Sequence, residues 1–159
     1  MADSQRFAVA VHTLMILAAH RTGEPGHPMT SGEMAKSVNA NPVVLRRVIS
    51  SLAQAGIVTT RPGAHGGVWL ARRPSEIAMD TVRGAVEEGA LVCPRTKINS
   101  DCPVAVAALD VIDSVSKRVE GAVRDSLATL TLADLVKQLP GDPTQACAEA
   151  RPASPTLAA

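Results

Sequence analysis

A chain of 159 residues can bury one substantial core and keep an element or two for association. Hydrophobic residues are 46% of it, with one Phe, one Trp and no Tyr. The core must therefore be Ala, Val, Leu, Ile and Met, which suits packed helices, and no apolar run reaches the eighteen or so residues that would span a bilayer. The net charge of +1 conceals an asymmetry: residues 1–73 carry eight Lys/Arg against three Asp/Glu, and residues 74–159 carry eight against twelve. A nucleic-acid face at one end and a different task at the other is the implied division.

The first element, from Ser4 to about Ala19, places Phe7, Val11, Leu14 and Ala18 at helical spacing, which predicts an amphipathic helix. The Gly- and Pro-containing stretch RTGEPGHPM breaks it. Thr30 with Glu33 three residues later forms the pattern of a capping box, and a two-turn helix is expected to end near Val38. After NAN, Asn41 and Pro42 make a strong helix start. Leu45, Val48, Ile49 and Leu52 line its buried side, and Gly56 closes it in the left-handed position. IVTT and VWL read as two short strands joined by RPGAHGG.

Beyond ARRPSE, a helix is expected from about Ala78 to Glu88 with Met79, Val82 and Val86 inward, then a loop containing Cys93. From Cys102 to Ala128 runs a long helical pattern in which Val104, Ala108, Val111, Val115, Val119 and Ala122 recur in steps of four and three, with Ile112 and Val123 beside them. That is the seam of two packed helices. About 25 residues of helix span on the order of 37 Å, more than a small domain needs for itself, so a homodimer interface is its natural use. TLADLVKQL adds a short capped helix.

These elements predict a mainly α protein with a small β-hairpin wing. Residues 1–73 form a winged helix-turn-helix domain. Residues 74–139 hold a linker helix, the cysteine loop and the dimerisation helices, and residues 140–159, rich in Pro and Ala, form a disordered tail.

The helix beginning at Pro42 suits the major groove of double-stranded DNA. On the side opposite its buried residues lie Val43, Arg47, Ser50 and Gln54, with Arg46 at the flank. Arg46 and Arg47 suit phosphates or the acceptor pair of guanine, and Ser50 and Gln54 suit phosphate or adenine. Thr30 and Asn41 sit at helix N-termini, where backbone amides favour phosphate oxygens. In the wing, Arg61, His65 and Gly66 combine positive charge with close backbone approach.

RFAVAVHTLMILA, MTSGEMAKSVNANPVVLRRVISSLAQAGIVTTRPGAHGGVWLAR and CPVAVAALDVIDSV together resemble the Rrf2 family of bacterial transcription regulators, over about residues 5–137. The resemblance implies a homodimer with a long crossing dimerisation helix that binds a near-palindromic operator and usually represses. It maps Asn41 to Gln54 onto the recognition helix, and Arg61 with GAHGG onto the wing. Cluster-binding members carry three closely spaced cysteines before the long helix. This chain has Cys93 and Cys102 there, and its third, Cys147, lies in the tail. An iron–sulfur cluster normally takes four ligands, so the spacing argues against one and no cofactor is expected. A dimer could pool ligands, however, and an iron–sulfur-dependent repressor of the same fold is an alternative reading.

A thiol switch needs fewer parts. Oxidation of Cys93 and Cys102 to a disulfide, or a bridge across subunits, would reshape the hinge between the DNA-binding and dimer parts and alter half-site spacing. Structural cysteines, or a small-molecule pocket between the two parts, are the alternatives. A thiol oxidoreductase, a different class altogether, is disfavoured because neither cysteine lies in a C-x-x-C pair. The expectation is thus a non-enzymatic, cytoplasmic, DNA-binding repressor, redox-modulated through Cys93 and Cys102. MADSQRF shows no secretion signal.

Overall fold

The computed structural model describes residues 3–19, 28–63, 66–87 and 101–140. His65, Cys93, Cys147 and the tail beyond Pro140 lie outside these described residues. In chain order the elements are α1 (Asp3–Ala19), α2 (Ser31–Val38), α3 (Pro42–Gln54), β1 (Val58–Arg61), β2 (Gly67–Leu70), a 3-10 turn at Pro74–Glu76, α4 (Met79–Val86), α5 (Pro103–Ala128) and α6 (Leu132–Val136). The mainly helical architecture with a two-stranded wing agrees with the expected fold class.

Helix α1 is the central strut, packing against α2, α3, α4 and α6. Its fully buried residues are Ala10, Thr13, Leu14 and Leu17, whereas Phe7, Val11 and Ala18 are only partly buried. The stripe read from the sequence is thus rotated. Its segment FAVAVHTLMILAA is apolar on nearly every side, so periodicity alone does not choose a face. Thr13 is tolerated in the core because its hydroxyl donates to the Val9 carbonyl at 2.7 Å.

The caps form as their local chemistry dictates. The Thr30 hydroxyl accepts from the Glu33 amide at 3.3 Å, and the Glu33 carboxylate accepts from the Thr30 amide at 2.9 Å. Asn39 ends α2 in the left-handed region at φ 49°. At the far end of α3, Gly56 at φ 65° lets its own amide donate to Ala53 and the Ile57 amide to Leu52, at 3.0 and 2.9 Å. These two bonds are a Schellman motif, which turns the chain directly into β1.

One buried cluster runs through the described residues. It joins Ala10, Leu14 and Leu17 of α1 to Met34 of α2, Leu45, Val48, Ile49 and Leu52 of α3, and Val82 and Val86 of α4. It also includes Ile77, Met79 and Leu132, so the short helix α6 is part of the core. The attachment is a backbone clip: the Met79 amide donates to Leu130 and the Leu132 amide to Ile77, both at 2.9 Å, around an antiparallel bridge from Ala78 to Thr131. A capping box from Thr131 to Asp134 starts α6. Hydrogen bonds from the Thr131 hydroxyl and amide, with Lys137 beside them, hold the Asp134 carboxyl below the usual carboxylate range.

Helix α4 is shorter than expected, stopping at Val86 because Glu87 turns extended. The 26 residues of α5 span about 39 Å. Among its hydrophobic residues Leu127, near the C-terminal end, packs against the core cluster, and Ser116, at its middle, is buried.

Truncation of Leu132, fully buried, tests the place of α6 in the core. Leu132→Ala should cost about 2–5 kcal/mol, read as a lower urea midpoint with an unchanged slope. An unchanged midpoint would show that α6 packs elsewhere.

Candidate nucleic-acid interface

The face of α3 turned away from the core is set by what the other face must do. Leu45, Val48, Ile49 and Leu52 are buried, and the 3.6-residue period then leaves Val43, Arg46, Arg47, Ser50 and Gln54 exposed. Asn41, also exposed, caps the helix by accepting the Val43 amide on Oδ1 at 2.9 Å, and the exposed Pro42 takes the first helical position. The result is a rigid helix with an outward strip of two guanidiniums, a hydroxyl, an amide and one valine.

Strands β1 and β2 pair antiparallel with Val58 opposite Leu70 and Arg61 opposite Gly67. A third segment joins them that sequence reading missed. Met29 bridges Val68, with reciprocal amide-to-carbonyl bonds of 3.1 and 2.9 Å. On the other side of β2, Gly67 pairs with Arg61. The bridge ties the residue before Thr30 to β2, which brings the N-terminus of α2 close to the wing. Thr30 and Arg61 are both exposed, and Gly66 is half-buried. Gly66 is fitted to the turn, since a Cβ there would collide with the Arg61 carbonyl.

Arg72 is a second residue that sequence reading missed. Its Nε donates to the Gly56 carbonyl at 3.0 Å, tying the exit of β2 to the end of α3. A basic side chain near a helix C-terminus also suits the carbonyl dipoles there. The available signal was the pairing of a left-handed Gly56 with an arginine just after the hairpin.

Cys102 stands at the N-cap of α5, half-buried and making no capping hydrogen bond with its side chain. Its expected partner, Cys93, lies outside the described residues. No group of three His, Cys, Asp or Glu able to hold a metal occurs among the described residues. Cys102 is the one thiol among the described residues, since Cys93 and Cys147 lie outside them. Between α4 and α5 an open cleft of about 240 Å³ is lined by Asp80, Arg83, Gly84, Glu87, Glu120 and Arg124. Its most enclosed cation, Arg83, is already paired with Glu87 at 2.7 Å.

Comparison with known proteins bears on the outward face of α3 and the wing. A family model for Rrf2, described as an iron-dependent transcriptional regulator, matches residues 3–138. YwnA of Bacillus subtilis, a candidate helix-turn-helix transcriptional regulator, is 34% identical over 138 residues, covering 86% of this chain and 98% of YwnA. A crystal structure of a candidate DNA-binding protein superposes with a TM-score of 0.65 at 33% identity, over 82% of this chain and 97% of the other. A candidate transcriptional regulator from Lactobacillus plantarum shares the fold with a TM-score of 0.71 at 24% identity, over 91% and 95% of the two chains.

Two glycines should respond oppositely to a methyl group. At Gly67 an added Cβ would meet the Met29 carbonyl oxygen at 2.6 Å and the Pro28 side chain at 2.8 Å. Gly67→Ala should therefore break the Met29–Val68 bridge and lower the thermal midpoint. At Gly84, inside α4, nothing lies within 4 Å, so Gly84→Ala should stabilise by roughly 0.5–1 kcal/mol. Thermal unfolding of both variants checks the contrast, and equal responses would contradict the described wing.

Proposed function

The chain belongs to the Rrf2 family of transcriptional regulators, and on that premise we propose that it is a homodimeric repressor which lays α3 into the major groove of its operator. The observation that carries this reading is the outward strip of α3, cationic and polar while the helix's opposite face is locked into the core. Arg46 and Arg47 engage phosphates or guanine edges, and Ser50 and Gln54 extend the contact along the helix. Thr30, Asn41, Arg61, His65 and Gly66 grip the flanking backbone from the helix N-termini and the wing. The protein acts by occupying DNA in the cytoplasm, without catalysis. No helix of the described residues is long and apolar enough to cross a membrane.

Dimerisation runs through α5. Val104, Val111, Val115 and Val119 are 76%, 63%, 51% and 40% exposed in the single chain. A row of branched apolar side chains open to water over this length is stable when it meets its symmetry mate. Two copies then present their α3 helices to successive major grooves of a two-fold operator.

Cys102 makes the assembly redox-responsive. It stands at the start of the dimer helix, and oxidation by a peroxide would join its sulfur to that of Cys93. The two thiols lose two protons and two electrons to hydrogen peroxide, whose O–O bond breaks and which leaves as two water molecules. Closing that bridge shifts α5 relative to the winged helix and spoils the half-site spacing. No cofactor takes part.

Replacing Arg46 and Arg47 together with Ala should weaken operator binding by about 10-fold or more and reduce the salt slope by about one unit per lost phosphate contact. Sedimentation should still report a dimer. Retained affinity would defeat the assignment of α3.

The redox arm is read by anisotropy of upstream DNA with reduced and peroxide-treated protein at one salt concentration. Oxidation should release the DNA, and Cys102→Ser should bind equally well in both states. Equal binding by the wild-type protein before and after oxidation would retire the switch.

A further inference from the structure

Among the described residues, large exposed hydrophobic side chains occur on α5 and at one other place, Val43, which is 52% exposed. Val43 is the second residue of α3, after Pro42. It contributes nothing to the buried cluster, and valine is a poorer helix former than the residues usually found on an exposed helix face. Neither packing nor propensity accounts for it. Its neighbours do suggest a role. Arg46 and Arg47 are three and four residues further on, so their Cβ atoms lie about 5–6 Å from that of Val43 on the same helical surface.

The backbone at this position is held firmly. The Val43 amide donates to Asn41 Oδ1 at 2.9 Å, and a β-branched side chain has restricted χ1 freedom in a helix. Its two methyl groups are therefore presented in a fixed direction, which suits reading shape more than solvating a surface. In the major groove, the apolar group that distinguishes one base pair from the others is the C5-methyl of thymine. Three to four residues of helix advance about 4.5–6 Å, or one to two base-pair steps of 3.4 Å.

We infer that Val43 is a specificity-determining residue that contacts the C5-methyl of a thymine one or two base pairs from the position read by Arg46 or Arg47. This inference rests on the proposed placement of α3 in the major groove. It adds a prediction that the arginines cannot make, because phosphate and guanine contacts are indifferent to a thymine methyl.

The test starts by selecting binding sites from a random duplex library with the full-length wild-type protein. Each thymine of the selected site is then replaced in turn by deoxyuridine, which removes only the methyl group. Binding is measured for wild type, Val43→Ala and Val43→Thr, the last keeping the β-branch. One deoxyuridine position should weaken wild-type binding by about three- to tenfold. Val43→Ala should bind the thymine site more weakly by a similar factor and should not distinguish thymine from deoxyuridine there. Val43→Thr, retaining one methyl, should fall between them.

If every deoxyuridine substitution affects wild type and Val43→Ala alike, or if the selected site has no thymine near its Arg-dependent position, the Val43 assignment is overturned while the operator-binding reading stands. If the wild-type protein enriches no sequence at all, the operator reading fails, and this inference fails with it.

Discussion

Everything the outer surface of α3 can do depends on the contact its inner surface makes. Leu45, Val48, Ile49 and Leu52 insert between α1 and α4, and that burial fixes the rotation of the helix about its own axis. A turn of 100° would bury Arg47 and expose leucine, with both an uncompensated charge and lost apolar burial opposing it. The core thus works as an orienting device: it determines which residues face outward and in what order. The Schellman turn at Gly56 and the bond from Arg72 to its carbonyl carry the same constraint from the end of α3 into the hairpin. Helix and wing are therefore set at one angle.

Local chemistry was the legible part of the chain. A capping box, an Asn–Pro start and a left-handed glycine are satisfied within a few residues, so Thr30, Asn41 and Gly56 announce themselves in the sequence and fold as read. The outward strip of α3 was legible for the same reason, since its boundaries follow from its caps. Two contacts were not. The bridges from Met29 to Val68 and from Ala78 to Thr131 join single residues 39 and 53 positions apart, and nothing around Met29, Ala78 or Thr131 alternates to mark them. The buried face of α1 was also illegible, because a helix apolar nearly all round leaves its rotation to its neighbours.

The same residue type carries two meanings here, separated by context alone. On α5, exposed valines recur at helical spacing over several turns, and such a row has the periodicity of another helix. Val43 stands alone between a capping asparagine and two arginines, and a single methyl-bearing position has the scale of a base edge. Exposure by itself would have grouped these residues together. Spacing and charged surroundings divide them.

The clip at Ala78 and Thr131 gives the proposed switch its mechanical basis. Cys102 lies at one end of α5 and Leu127 near the other, about 37 Å apart along the helix. The C-terminal end is anchored to the core, through Leu127 and the backbone bonds that join Leu130 and Leu132 to Met79 and Ile77. Further along the helix, Ser116 is buried, and Glu120 and Arg124 face α4 across the cleft. A covalent constraint at Cys102 would therefore act at the end of α5 opposite the C-terminal anchor. The anchored end is joined to α4, which packs directly on α3. In the proposed dimer, a rotation of a few degrees about that anchor would move the N-terminal end of α5 by ångströms. Because operator binding by a dimer requires both recognition helices in register with the DNA repeat, the proposed switch would need little angular change to abolish it.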